Sequence, residues 1–380
     1  MRILHTSDWH LGRQFHGHSL DDDHANVLDQ VHQALLAHQP DVLVIAGDIY
    51  DRASPPTNAI RQFNIFIERL AQETTAAVVL IAGNHDSGDR IGAMGALTDR
   101  KRALIRGPLS KNEIPLVLED AHGQVAFSAL PFGWEFAARE CFARNDINCP
   151  QDVIRAQIDD ARARVPKDAR WVVAAHGFVT GANLSGSERP LSRVGGIETI
   201  SLDVFAGAHY VALGHLHRAQ SAGADHIRYS GSPLAFGFDE SVETKSMTLV
   251  DLSGDGSIKT QCLPFTPLRA VRTIRGQFAD VLAGAVQSND FVKVVLTDKS
   301  TLIDPMKQIR VKYPNAGPLL YERDETPFVG TSQNARMALN NPSHVIEEFI
   351  KHVRGEPQTD VESSFIKDAL SNLSAEESLK

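Results

Sequence analysis

The sequence predicts an α/β protein whose strands are buried on both faces, followed by a smaller α+β unit and C-terminal helices. Two observations carry that reading. Short, unbroken apolar runs alternate with helix-period segments through the first two thirds of the chain, the pattern of strands covered by helices on both sides. Near Leu263-Pro264-Phe265 and Pro267 this alternation gives way to a second, more compact one. A length of 380 residues accommodates two or three domains.

The elements follow in order. Ile3-Leu4 leads into Thr6-Ser7-Asp8. Between Asp22 and His38, Val27, Leu28, Val31, Leu35 and Leu36 recur at helical spacing. Val42-Leu43-Val44-Ile45 is a β-branched run that stops at Gly47-Asp48. Pro55-Pro56 punctuates, and Ile60, Phe63, Ile67 and Leu70 then mark a helix face. Val78-Val79-Leu80-Ile81 stops at Gly83-Asn84, Trp171-Val172-Val173-Ala174 at His176, and Tyr210-Val211-Ala212-Leu213 at Gly214-His215. In the second unit, strands are expected from Arg269 to Ile274, Phe291 to Leu296 and Leu319 to Tyr321, with helices from Phe278 to Ala285 and Asp304 to Val311. The expected division is therefore 1–265, 266–325, a linker over 326–341, and a helical segment over 342–380. That last segment carries eight acidic against four basic residues. Val345, Ile346, Phe349, Ile350 and Val353 make one apolar face there, and Val361, Phe365, Ile366, Leu370 and Leu373 a second. Such faces either fold back on their own chain or dock a partner.

Composition excludes several classes. Hydrophobic residues make up 42% and charged residues 22%, so the chain is not broadly disordered. A net charge of −9 means that bulk charge cannot hold nucleic acid, although a local basic groove or bound cations could. Three cysteines, Cys141, Cys149 and Cys262, form no CxxC pair, which excludes a disulfide scaffold and a thiolate zinc site and fits a reducing compartment. The opening MRILHTSDWH reaches Asp8 and His10 before an apolar stretch can form, so a signal peptide is not expected, and no window approaches the ~18 apolar residues of a membrane span.

Chemistry stands at the strand ends. Asp8-Trp9-His10 follows the first, Gly47-Asp48 the second with Asp51 beyond it, and Gly83-Asn84-His85-Asp86 the third. His176-Gly177 and Gly214-His215-Leu216-His217 follow the later two. Ligands of open α/β sheets collect outside the carboxyl ends of the strands. A lone DxH or HxH carries little weight, because surface Asp and His are common. Five such elements, each after its own apolar strand, are not readily structural. Nitrogen and oxygen donors without thiolate suit Mn, Fe or Zn. Seven donors suffice for two metals if one carboxylate bridges, and such a pair lowers the pKa of water to ~7 and clamps both oxygens of a phosphoryl transfer. No Ser-His-Asp or Cys-His arrangement competes.

The series DWHLG, GDIYD, GNHD, HG and GHLH resembles the calcineurin-like metallophosphoesterases. MRILHTSDWHLGR, GDIYDRASPP, ALGHLHRAQ and YSGSPLAFGFDE narrow the resemblance to the double-strand-break repair nucleases within that superfamily, over about the first two thirds of the chain. The resemblance implies a β-sandwich flanked by helices, with the smaller unit as a capping domain. It implies that Asp8, His10, Asp48 and His217 hold one metal, that Asp48 bridges, and that Asn84, His176 and His215 complete a second, with Mn2+ the expected ion. His85 would give a proton to the leaving oxygen or stabilise the transition state. The implied activity is 3′–5′ exonuclease and endonuclease action on duplex ends, hairpins and single strands, in the cytoplasm. The implied assembly is a homodimer within a heterotetramer with an SbcC-like ATPase subunit. The chain itself has no GxxxxGK[ST], so ATP dependence would come from that partner.

Other positions have balanced readings. Asp86 is expected either to orient His85 or to cap a helix, and Asp51 either to support the helix entry or the site or to take part in the chemistry. His16, His18 and His24 beside Asp21-Asp22-Asp23 mimic a metal cluster, but a solvated loop leading into a helix explains them better. Arg13, Arg52, Arg189 and Arg193 lie near the motifs and could meet phosphates, and Ser185-Gly186-Ser187-Glu188-Arg189 reads as a substrate-side loop. A phosphoprotein phosphatase or small phosphodiesterase on the same core, and a silent DNA- or partner-binding scaffold, are the alternatives. The added α+β unit and acidic tail argue against the first, and the complete donor set against the second.

Overall fold

Val42–Ala46 and Ala77–Ile81 are buried at every residue, so the sheet that holds them needs cover on both faces. The computed structural model describes residues 1–96, 98–99, 101–186, 188, 192–193, 196–197, 199–300, 302–322, 342–354 and 356–377. The expected linker 326–341 lies outside the described residues. The strands of three or more residues are, in chain order, β1 (Arg2–Thr6), β2 (Val42–Ala46), β3 (Ala77–Ile81), β4 (Ala103–Arg106), β5 (Leu116–Asp120), β6 (Gly123–Leu130), β7 (Arg170–His176) and β8 (Tyr210–Gly214). They continue as β9 (Gln220–Ala222), β10 (Ala224–Tyr229), β11 (Ser246–Leu252), β12 (Ile258–Pro264), β13 (Val271–Gly276), β14 (Phe291–Leu296) and β15 (Ala316–Tyr321). The helices are α1 (Asp21–His38), α2 (Thr57–Glu73), α3 (Gly88–Ala93), α4 (Glu135–Phe142), α5 (Pro150–Arg162), α6 (Phe278–Ala283), α7 (Pro305–Lys312), α8 (Pro342–Arg354) and α9 (Asp360–Glu377).

Two six-stranded sheets pack face to face, in the orders β12-β11-β1-β2-β3-β4 and β9-β10-β8-β7-β6-β5. Neighbouring residues of one strand serve different cores, as the two-residue period requires. Ile3, Val44, Val79, Phe127, Val172 and Tyr210 point between the sheets. Leu4, Leu43 and Leu80 point outward, onto Val27 and Val31 of α1 and Phe63 and Phe66 of α2. Val173 and Val211 point outward from the second sheet, onto Ile154 and Ile158 of α5. The result is a helix-flanked sandwich, and it explains the unbroken apolar runs. Strands β1 through β4 run parallel, as do β6, β7, β8 and β10, which sets the carboxyl ends of each group at one edge of its sheet. Much of residues 100–165, where strand and helix signals are weak, forms β4 to β6, α4 and α5.

The α+β unit is β13-α6-β14-α7-β15 around a three-stranded sheet with β14 central. Its strand β13 begins at Val271, two residues later than expected, because Arg269 is drawn into an ion pair with buried Asp23 of α1. Phe291 of β14 enters the core beside α1 and meets Phe15 at 5.1 Å between ring centroids. Residues Met1–Leu320 accordingly form one unit and Tyr321–Lys380 another. In the second unit, α8 and α9 are joined by an Arg354–Glu362 ion pair of 2.8 Å, and Phe349, Val361 and Phe365 are exposed. The side chains of Val345, Val353 and Leu373 lie outside the described residues. No described helix is long and apolar enough to cross a membrane.

His5 ties the two sheets together. Its Nε2–H donates to the Leu213 carbonyl at 3.1 Å, leaving Nδ1 to accept the Tyr210 hydroxyl at 2.8 Å. Burial, reinforced by the Arg228 charge, lowers its pKa from 6.5 to about 3. The unfolded chain therefore takes up this proton near pH 6.5 while the folded one does not. The contribution of a neutral His5 is present above that pH and is lost as the pH falls toward 3, about 2 kcal/mol by pH 5. His5→Gln is expected to lower stability at pH 8 yet to flatten its decline between pH 6.5 and 4, read by urea unfolding of EDTA-treated protein. An unchanged slope would mean that His5 is not held neutral.

Candidate metal centre

Five strand ends meet at a cleft of about 430 Å3. The turn after β1 delivers Asp8 and His10, that after β2 Asp48, and that after β3 Asn84 and His85. His176 closes β7, and His215 and His217 follow β8. Asn84 and His85 are half-buried and the other six are buried. The backbone bends sharply to present them: φ is +54° at Asp8, +49° at His10, +50° at Asp48 and +106° at His215. Such left-handed geometry costs ~1–3 kcal/mol per residue and persists only where the surroundings enforce it. Glycines make room for it. A Cβ on Gly47, itself at φ +89°, would stand 2.4 Å from His176 Nδ1, and one on Gly83 would stand 2.2 Å from Asp48 Oδ1.

The donor atoms fall into two sets. His10 Nε2 and His217 Nε2 face each other at 3.2 Å, with an Asp8 carboxylate oxygen in the same cluster. Asn84 Oδ1 lies 2.9 Å from His176 Nε2 and 3.0 Å from His215 Nδ1. Asp48 stands between the sets, its Oδ2 3.7 Å from His10 Nε2 and 3.5 Å from His176 Nε2. Asp8 also clusters with Asp48 and His176, and its carboxylate accepts the His215 N–H at 2.9 Å.

Outer contacts choose the tautomers. His176 Nδ1–H donates to the Ala46 carbonyl at 2.9 Å, which turns Nε2 to the centre. His217 Nδ1 faces Glu240 Oε1 at 3.7 Å, while Lys245 Nζ bonds both Glu240 and, at 2.8 Å, the His217 carbonyl. Glu188 accepts the His217 N–H at 2.5 Å. These three partners are buried; the sequence offers Glu188 only as part of a substrate-side loop, whereas its side chain holds the His217 backbone, and it marks no role for Glu240 or Lys245. Distant acidic and basic residues carry no sequence sign of the imidazole they will meet. His85 donates from Nδ1 to the Asp51 carbonyl at 2.8 Å, and its N–H bonds Asp48 Oδ1 at 2.8 Å. That leaves Nε2 as the one ring nitrogen outside this contact.

The electrostatics follow from burying two carboxylates among imidazoles. Burial raises Asp8 to about 6. Asp48 is also buried, but the charge and hydrogen bond of His176 pull its carboxyl far below the usual range. His176 is correspondingly raised to about 9, the Asp48 carboxylate outweighing burial. Burial lowers His10 strongly and His215 to about 3, so both are neutral. The residues present fit divalent cations. His10 Nδ1 is buried without a hydrogen-bond partner, the Nε2 atoms of His10 and His217 aim at one another, and a carboxylate oxygen separates two all-N/O donor sets, the chemistry that borderline divalent ions take.

The other expectations fare unevenly. Asp86 neither orients His85 nor caps α3. Its carboxylate accepts the N–H groups of Ile49, Tyr50 and Gly83 at 3.1, 2.9 and 2.9 Å, clamping the second motif to the third, and Ser87 caps the helix instead. Asp51 supports the site, through its carbonyl to His85 and its Oδ1 3.7 Å from Arg13. The acidic stretch before α1 is helical from Asp21, and the solvated-loop reading fails for Asp23 and His24, which are buried. Asp23 holds Arg269. Arg13 lies over Phe236 at 4.3 Å and, with Arg52, lines the cleft. Arg189 and the Arg193 side chain lie outside the described residues.

Residues 1–219 match the calcineurin-like phosphoesterase family, and residues 264–353 match the family described as the type 5 capsule protein repressor C-terminal domain. The SbcD component of the nuclease SbcCD from Staphylococcus epidermidis is 29% identical over 377 residues, 98% of each chain.

Two outcomes are expected. Gly83→Ala drives a methyl group into Asp48 and should abolish manganese uptake measured by isothermal titration, with the fold retained by circular dichroism. An ion such as manganese that took His176 as a ligand would have to displace its proton, since a ligating imidazole is neutral. Calorimetry in buffers of different ionisation enthalpy should show about one proton released between pH 6 and 9 and none above about 9. Release that does not change across pH 9 would contradict the His176–Asp48 pairing.

Proposed function

The chain belongs to the calcineurin-like phosphoesterase family, and from that premise we propose that it is a metal-dependent DNA nuclease, the phosphodiester-cleaving subunit of an SbcCD-type complex. The observation that carries the reading is the buried Asp48 carboxylate between two sets of nitrogen and oxygen donors. The full-length match to a nuclease component, through the α+β unit and the tail, supports DNA rather than a phosphoprotein as substrate. A minimal phosphatase needs neither region.

In this reading Asp8, His10, Asp48 and His217 hold one divalent ion, and Asn84, His176 and His215 with Asp48 hold the other, Mn2+ in both. When bound, such ions supply Lewis acidity to the phosphoryl oxygens and lower the pKa of water to about 7. The protein's part is positional. Ala46 and Glu240 orient His176 and His217, as outer hydrogen bonds orient metal-bound imidazoles generally. His85, steered by the Asp51 carbonyl, delivers a proton from Nε2 to the leaving oxygen. Arg13 and Arg52 meet phosphates of the bound strand. Residues 266–325 act as a cap on the nuclease domain 1–265. The segment 342–380, beyond the linker 326–341, docks an SbcC-like ATPase with its apolar faces. The expected assembly is a homodimer within a heterotetramer in the cytoplasm. Duplex ends, hairpins and single strands are cut both from the 3′ end and internally.

Hydrolysis with manganese tests the reading. Bis-p-nitrophenyl phosphate should be cleaved well and p-nitrophenyl phosphate poorly, and linear duplex DNA should be degraded with the ATPase present. The reverse preference for the monoester would favour a phosphatase. His85→Gln should retain both ions and DNA binding while kcat falls ~10²–10⁴-fold, the usual worth of a positioned acid. Loss of manganese at an unchanged rate per loaded site would make His85 a ligand instead.

A further inference from the structure

Beside the donor atoms stands an aromatic pair that they do not use. His176 and His215 share a small pocket, separate from the main cleft, with Phe132, Gly133, Phe178 and Ile200. Phe132 stands edge-on to His176 at 6.5 Å between ring centroids, and Trp134 stands edge-on to Phe132 at 5.1 Å. Trp134 is 44% exposed, which leaves much of a large apolar ring open to solvent beyond Phe132. The shelf is rigid at its root. The Phe132 N–H donates to the Ala82 carbonyl at 2.9 Å, directly before Gly83-Asn84. A Cβ on Gly133 would meet Leu109 at 2.4 Å, and Trp134 is the first residue before helix α4. The ring therefore keeps its place relative to Asn84.

We infer that Phe132 and Trp134 form a stacking shelf for an unpaired nucleobase next to the scissile phosphate. The inference rests on the phosphodiesterase reading above and names its substrate class: a strand whose terminal or neighbouring base is unpaired. A phosphate at the donor atoms places its own nucleotide within reach of rings this close to His176. A chain of net charge −9 cannot hold a polyanion by its bulk field. Aromatic stacking supplies binding that needs no charge, and every base has a π-face to offer. In a duplex both faces are covered by neighbouring pairs, so the shelf favours frayed or single-stranded ends. Rigid aromatic rings also lose little side-chain freedom on binding.

The protein carries its own probe. Of its three tryptophans, Trp9 and Trp171 are 0% and 4% exposed, so Trp134 dominates quenching by a ligand. Oligothymidylate added to EDTA-treated protein should quench the fluorescence of the wild type but not of Trp134→Phe. With manganese, Trp134→Ala should raise KM for oligothymidylate about ten- to a hundredfold at unchanged kcat and manganese content, and Trp134→Phe should restore it. On an oligonucleotide abasic beside the cleaved bond, wild type and Trp134→Ala should share one KM. A wild-type KM for Trp134→Ala on oligothymidylate, or an equal penalty on the abasic strand, would overturn the shelf. If the wild type hydrolyses bis-p-nitrophenyl phosphate but no oligonucleotide, the nuclease reading fails. A persistent quench then still upholds the shelf, and its absence removes both.

Discussion

The arrangement depends on one constraint: two carboxylates, Asp8 and Asp48, are almost wholly removed from water at the meeting edge of two sheets. A buried carboxylate is tolerated only when opposite charge or hydrogen-bond donors compensate it. Here Asp8 takes the His215 N–H, Asp48 takes the His85 N–H, and His176 supplies charge. The same geometry leaves lone pairs from both donor sets converging on the Asp48 oxygen. Divalent cations bound there would take over the compensation that the His176 proton provides.

The sandwich makes that edge possible. Parallel pairing of β1, β2 and β3 in one sheet and of β7 and β8 in the other directs their carboxyl ends together. The three layers of core hold the strands while the turns beyond them adopt left-handed backbone at Asp8, His10, Asp48 and His215. Contacts between turns then lock the geometry. Asp86 joins the second and third motifs, and backbone bonds from Asp8 to Gly47 and from His10 to Asp48 join the first and second. No one motif holds its shape alone, so a defect in one turn propagates to the others.

Much of this was legible in the sequence because buried parallel strands leave unbroken β-branched runs, and the polar residue after each run marks the strand end. Asp8, His10, Asp48, Asn84, His85, His176, His215 and His217 stand at such strand ends, and the structure brings them together. The roles of the residues that steer them are not legible. Glu240, Lys245 and Glu188 act on His217 from loops whose approach no periodicity encodes. Asp86 is deceptive in sequence because its neighbours there are His85 and the start of α3, whereas its partners Ile49 and Tyr50 come from another turn. Asp23 and His24 look like a solvated helix start until Arg269, far along the chain, covers Asp23. The strands and helices between β4 and α5 escaped because their apolar residues are interrupted by exposed charges. Local pattern reveals elements and strand ends; contacts between distant loops need the fold.

The central claim is that one carboxylate, Asp48, couples two ion sites. Electron paramagnetic resonance of the protein loaded with two equivalents of manganese tests it most directly. The account predicts the multiline spectrum of an exchange-coupled pair in the wild type, and its loss with a fall in bound manganese in Asp48→Asn. Two magnetically isolated ions in the wild type, or an unaltered coupled spectrum in the variant, would contradict it.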